Sequence, residues 1–281
     1  MKKLILVACA AFIFSGAFAQ QQQQLRTPPA SPSQTIKQDF ALSSIELSYS
    51  RPGVKGRKVF GDLVPFGKVW RTGANAATTV TFGEDVVIGG KKIPAGKYGL
   101  ATIPEKDNWT IIISKQLDLN NPGNYKQEND IARVTAKPME MKEKMETFTM
   151  QFADVTANSC ALHIMWENTA VALPISVEVD GKVMKSIDEM MNKDTKPYFS
   201  AAVYYLQNGK DLDQALSWFD KAIELETNPT PYWMHHQRAN CLAKMGRKKE
   251  ARDAAEKSKA MAVTAKNDDY VKLNNNLLAT L

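Results

Sequence analysis

The spacing of apolar residues changes once in this 281-residue chain, near Gly181, and that change limits the folds open to it. Before it, apolar residues recur at every second position in short runs; after it they recur at every third or fourth. Alternation places successive side chains on opposite faces of a strand, whereas the longer spacing lines one face of a helix. An α+β chain of two domains is therefore expected. Residues 35–180 should form an antiparallel β-sandwich or barrel, and residues 181–281 an array of α-helical hairpins.

Ahead of both lies a leader. Lys2 and Lys3 precede an apolar run over residues 4–14, and Ala17-Phe18-Ala19 offers a small-residue cleavage site before Gln20. Residues 1–19 are read as a secretory signal peptide, which implies an exported protein, periplasmic or secreted. Acylation at Cys9 is the competing reading, with only about five apolar residues before that cysteine against the ~7 to 15 of an ordinary leader. No later run has the ~18 apolar residues of a membrane span. Residues 20–34, QQQQQLRTPPASPSQ, have almost nothing to bury and should be a disordered tether.

Within the first domain, strands are expected over residues 44–50, 68–72, 77–82, 85–88, 97–103 and 109–114. In the first of them Ile45, Leu47 and Tyr49 share a face. Tight turns at Gly89-Gly90 and Pro94-Ala95-Gly96 separate several of these runs, with no helix between them. Residues 115–144 read as a long polar excursion. Three strands then close the domain, at residues 146–155, 160–167 and 169–179, the last two forming a hairpin about Asn168.

The second domain carries an internal repeat. Residues from Phe199 and from His235 superimpose at an offset of 36, pairing Ala215 with Ala251, Phe219 with Ala255 and Ala222 with Ser258. Such self-similarity marks stacked helical hairpins. The two stretches resemble tetratricopeptide repeats. Small residues at Ala215, Ala222, Ala239 and Ala251 allow close helix packing, and Gly209 and Gly246 stand where each hairpin must turn. Two repeats are fewer than the three or so that stack alone, so residues 269–281 are expected to cap the array. Such arrays usually hold a peptide or protein partner.

Four segments together carry a wider resemblance: Ser48-Tyr49-Ser50-Arg51-Pro52, Gly56-Arg57, Val69-Trp70-Arg71-Thr72-Gly73-Ala74-Asn75, and Ile93-Pro94-Ala95-Gly96-Lys97-Tyr98. The chain resembles the family called domain of unknown function 2911, exported proteins of Gram-negative bacteria of the Bacteroidetes type. The resemblance implies a compartment and an architecture, and no chemistry.

The segment RPGVKGRKVFGDLVPFGKVWRTGAN, residues 51–75, is the densest in unusual residues. It sets Arg51, Lys55, Arg57, Lys58, Lys68 and Arg71 among glycines, prolines and aromatics. Arginine forks bind carboxylate or phosphate groups bidentately, so the segment suits a small anion. The alternative is that these arginines pair with Glu46, Asp62, Glu84 or Asp85 and tie loops to the sheet. Trp70 and Tyr98, with Trp109 and Tyr49, have the flat rings that a glycan or peptide groove uses, or they fill the core. Arg51, Arg57, Trp70, Arg71, Asn75 and Tyr98 are the candidate ligand-binding residues.

Catalysis has thinner support. His163 is the one histidine of the first domain, and a hydrolase would need it beside Ser48 or Ser50. His235 and His236 are adjacent, so on a helix they point about 100° apart and cannot chelate one ion. No CxxC, phosphate-loop or dinucleotide fingerprint occurs, and no cofactor, metal or catalytic set is assigned. Once Lys2 and Lys3 leave with the leader, 34 Lys and Arg stand against 30 Asp and Glu, too mild a balance to imply nucleic acid. Cys160 and Cys241, one per domain, should be buried free thiols. The residues thus favour a non-enzymatic binding or scaffold module, ahead of a hydrolase or a self-associating envelope protein.

Overall fold

The computed structural model of the protein describes residues 27–281. The leader expected over residues 1–19, acylation at Cys9 and the first part of the tether lie outside the described residues. Ser33 and Gln34, assigned to the tether on composition, are instead the first two residues of a strand. The chain divides into two compact units between Val177 and Glu178.

Among the described residues the first unit has ten antiparallel strands in two sheets. One sheet has the order β1-β2-β3-β6-β7-β8: Ser33–Phe40, Ser43–Ser50, Thr79–Phe82, Gly96–Ile103, Trp109–Ser114 and Asp130–Ala136. The other has the order β5-β4-β10-β9: Lys91–Ile93, Val86–Ile88, Ser159–Ser176 and Met139–Ala153. In β2 the alternating Ile45, Leu47 and Tyr49 are all buried, as their spacing predicts. The two sheets meet through a cluster of five rings, Phe60, Trp70, Trp109, Phe148 and Trp166, with centroids 4.9 to 6.4 Å apart. Such edge and offset contacts are the favoured arrangements of aromatic quadrupoles.

Strand β7 is buried on both faces. Ile111 and Ile113 fill one side, while Ile112 joins Ala101 and Leu119 in a separate cluster on the other. Leu119 belongs to the stretch expected as a long excursion, and that expectation needs correction. Residues 115–129 do form a loop with two single 3-10 turns, but β8 and the start of β9 follow within it. The polar pattern of β9 misled because its first residues are largely solvent-facing, so alternation there carries little apolar signal.

The hairpin expected about Asn168 is also absent. Strand β10 runs unbroken from Ser159 to Ser176, and its register against β9 shifts on either side of Glu167, whose φ is +53°. The polar break in the apolar run is a bulge, which adds a residue and bends the strand without reversing it. The reversal lies earlier, between β9 and β10, where Thr156 N–H donates to the Ser159 carbonyl at 2.8 Å. The strand expected over residues 68–72 reduces to one bridge, Trp70 to Thr102.

The second unit holds six helices: α1 Asp180–Met191, α2 Tyr198–Gln207, α3 Leu212–Leu225, α4 Tyr232–Lys244, α5 Lys248–Thr264 and α6 Asp268–Thr280. From α2 onward each packs on the next, around a core of Ala202, Ala215, Phe219, Ala239, Ala251 and Ala255. All six positions of the 36-residue repeat named above are buried. The end of the array is pinned by Asn274. Its amide donates to Ser258 Oγ and the Tyr270 carbonyl, each at 2.8 Å, so its oxygen must accept from His236 Nδ1–H at 2.9 Å. Every polar group of the Asn274 side chain is therefore satisfied in a fully buried place.

Candidate functional site

The sequence Trp70-Arg71-Thr72-Gly73-Ala74-Asn75 folds against its own local preferences. Thr72 and Asn75 lie in the left-handed region at φ +54° and +55°, a conformation costing a β-branched residue on the order of 1–3 kcal/mol. Buried hydrogen bonds hold it there. The Thr72 hydroxyl lies 3.0 Å from Thr102 Oγ1, and the Thr78 hydroxyl donates to the Thr72 carbonyl at 2.7 Å. Gly73, at φ +154°, passes so close to β2 that a Cβ would stand 3.1 Å from the Ser50 carbonyl oxygen and 3.0 Å from Thr78 Oγ1. The Gly73 carbonyl in turn accepts from Trp70 Nε1 at 3.2 Å. This rigid turn faces the Trp70 indole inward and leaves Arg71 half-exposed at the rim.

A cavity of about 350 Å³ opens beside the turn. Its apolar wall comes from Pro52, Leu63, Val64, Pro65 and Val69, and Trp70 and Trp166 contribute to its lining. Among the described residues its cations are Arg57, Lys68 and Arg71, and no carboxylate, histidine or cysteine lines it. A second cavity of similar size differs in this respect, since Lys106 there is accompanied by Glu105 and Glu140.

The three cations keep donors to spare. Arg71 spends an N–H on the Asn120 carbonyl, and Arg57 bonds the Val54 and Gly53 carbonyls at 3.0 and 2.6 Å. Among the described residues none of these two arginines or Lys68 makes an ion pair. The alternative of pairing with Glu46, Asp62, Glu84 or Asp85 is therefore not what anchors Arg57 and Arg71; backbone carbonyls do so. A guanidinium on a neutral carbonyl retains its full positive charge toward a ligand.

Of the six candidate residues the structure brings Arg57, Trp70 and Arg71 together. Arg51 is elsewhere: its Nε donates to the Phe148 carbonyl at 3.1 Å and its terminal nitrogen to Thr149 Oγ1 at 2.9 Å, which ties the end of β2 to β9. Asn75 donates to the Ser31 carbonyl at 3.2 Å, and Tyr98 closes its own turn by donating to the Pro94 carbonyl at 2.8 Å. Burial, helped by the Asp85 carboxylate, pushes the Tyr98 phenol above its ordinary pKa. Lys68 and Trp166 complete the cavity and were not among the candidates. Lys68 stood within the cationic segment, but nothing local connects Trp166 to it.

The serine and histidine of the hydrolase reading are not assembled. Ser50 Oγ is buried 3.3 Å from Ser33 Oγ, and Ser48 Oγ accepts from the Thr35 hydroxyl at 3.2 Å, both across the β1–β2 pair. His163 lies on β10 of the other sheet, its Nε2 3.8 Å from Asp154 Oδ2. The physical reason is topological, since the alternation that sets Ser48 and Ser50 on β2 engages them with β1. Among the described residues no three His, Cys, Asp or Glu side chains are grouped to hold a metal ion, and no helix is long and apolar enough to cross a membrane.

No curated protein and no solved structure matches this chain. A family model described as protein of unknown function DUF2911 matches residues 31–175, more than half of the 281 and nearly all of the two-sheet unit that carries the cavity. The chain belongs to the DUF2911 family.

Proposed function

We propose that this is an exported, non-enzymatic binding module whose two-sheet unit holds a small anionic ligand in the cavity beside Trp70 and Arg71. The observation that carries it is the lining itself, three cations with unused donors and, among the described residues, no carboxylate to neutralise them. Arg57 and Lys68 are exposed and Arg71 is half-buried, so together they can meet an anion from the rim by charge-assisted hydrogen bonds. The cavity falls in the size range of small-molecule sites, about 300–1,000 Å³. With no histidine, cysteine or carboxylate in its wall among the described residues, no described side chain there is suited to shuttle a proton near neutral pH, which favours holding over turnover.

Export rests on the leader pattern of residues 1–19. The helical unit is proposed to engage a peptide or protein partner, as the resemblance of its hairpins to tetratricopeptide repeats suggests. Sedimentation of the purified chain tests whether that partner is a second copy.

The ligand site is tested by thermal melting in a panel of citrate, glucuronate, inorganic phosphate and isocaproate. A ligand at 100 times its Kd stabilises by about 2.7 kcal/mol, a shift of several degrees. At least one anion should raise the melting temperature of the native chain and leave an Arg71→Ala, Lys68→Ala variant unmoved. Equal effects on both proteins, or none on either, contradict the proposal.

A further inference from the structure

We infer that the group taken by this cavity is a carboxylate borne on a short apolar body, as at the C-terminal residue of a peptide or in a free branched acid. The inference rests on the anion-binding reading above and narrows it by the chemistry of the wall.

A sugar platform is disfavoured because the indoles offer no face. Trp70 and Trp166 are 8% and 1% exposed, and they stack on each other at an interplanar angle of 16° with Phe148 and Phe60 at their edges. A pyranose would need an open ring surface. Phosphate is disfavoured by the apolar share of the lining. Much of the lining is Pro52, Leu63, Val64, Pro65 and Val69, against which a multiply charged, strongly hydrated group loses water without replacement hydrogen bonds. A carboxylate carries one charge on one end and leaves the other end free to be apolar, so one ligand can serve both the cations and the apolar residues of the lining.

The wall also holds an unserved donor. Trp166 Nε1 is buried and has no hydrogen-bond partner among the described residues, and leaving such a group unpaired is costly. A peptide end brings an amide carbonyl next to its carboxylate and side chain; a free acid brings none. The acceptor would reach Trp166 Nε1 only if neighbouring side chains yield; Leu63, which also lines the cavity, is 41% exposed.

The test is a set of titrations of the full chain followed by intrinsic tryptophan fluorescence, with N-acetyl-glycyl-leucine, its C-terminal amide, isocaproate, glucuronate and inorganic phosphate as probes. The acid is expected to bind roughly tenfold or more tighter than its amide, from loss of charge-assisted hydrogen bonds. Lys68→Gln and Arg71→Gln, both at exposed or half-exposed positions, should each weaken the acid and narrow that gap. Tighter binding of the acetylated dipeptide than of isocaproate, with a moved Trp166 indole N–H resonance, supports the peptide end; equal binding supports the free acid. Glucuronate or phosphate binding best, dependent on Arg71, overturns the inference and spares the anion site. Acid and amide binding alike overturns it as well, and silence across the whole panel overturns both.

Discussion

Arg51 and Arg71 lie within one short segment and should behave oppositely when truncated. Arg51 bridges the sheets through two hydrogen bonds to Phe148 and Thr149 of β9, at 3.1 and 2.9 Å. Bonds from a charged donor contribute about 1.5–3 kcal/mol each when intact, and here the half-buried position discounts them. Truncation also leaves the Phe148 carbonyl without the Arg51 donor and removes the packed aliphatic stem. We expect Arg51→Ala to cost about 2–3 kcal/mol, a fall of about 5–10 °C in the melting temperature for a unit of this size. Arg71→Ala removes one bond to the Asn120 carbonyl at the rim and should cost no more than about 0.5 kcal/mol. Calorimetry of both variants, with urea unfolding to confirm, reads the difference. A Thr149→Val partner for Arg51→Ala should give a coupling energy of about 1 kcal/mol. Equal losses for the two arginines, or an unaffected Arg51→Ala protein, would refute the division of one cationic segment into a structural and a ligand-binding part.

Burial, aided by Lys257 and Arg238, lowers the His235 pKa from 6.5 to about 4. The unfolded chain then binds more protons between those values, so stability is full above about pH 6.5 and is lost as pH falls toward about 4. The loss should be on the order of 2 kcal/mol, and urea unfolding of His235→Phe across that window should show a flatter profile. Gly73→Ala places its Cβ against the Ser50 carbonyl at a left-handed φ and should cost about 2 kcal/mol or more in chemical denaturation. Burial pushes the Cys160 thiol up to about 11 and raises that of Cys241. A thiol reagent near neutral pH should modify neither in the native chain and both after unfolding, whereas rapid labelling of the folded protein contradicts their burial.

Much of the scaffold could be read from residue spacing because burial repeats at the period of the backbone. The Ile45, Leu47, Tyr49 alternation and the repeat pairs Ala215 with Ala251 and Phe219 with Ala255 are buried where their periods place them. The misreadings share a cause. Glu167-Asn168-Thr169 looks like a turn by composition, yet β9 pairs on both sides of it, and tertiary pairing turned a reversal into a bulge. Likewise Met139 and its neighbours look like loop because an edge strand need not alternate strongly.

The candidate site was legible only in part. Arg57, Trp70 and Arg71 came from the density of cations and turns, but Arg51 carries the same chemistry and is consumed by a strand 97 residues away. Whether an arginine serves a ligand or a neighbouring carbonyl is decided by long-range register, which no local pattern encodes. Trp166 enters the cavity through β10 for the same reason.

The most direct measurement follows the arginine Nε–H and indole Nε1–H resonances of the isotope-labelled chain during titration with isocaproate. Resonances of Arg71, Arg57 and Trp70 should move together and saturate at one concentration, while that of Arg51 stays fixed. Movement of Arg51 without Arg71, or saturable binding with all four unmoved, would place the ligand outside the cavity and contradict an anion site there.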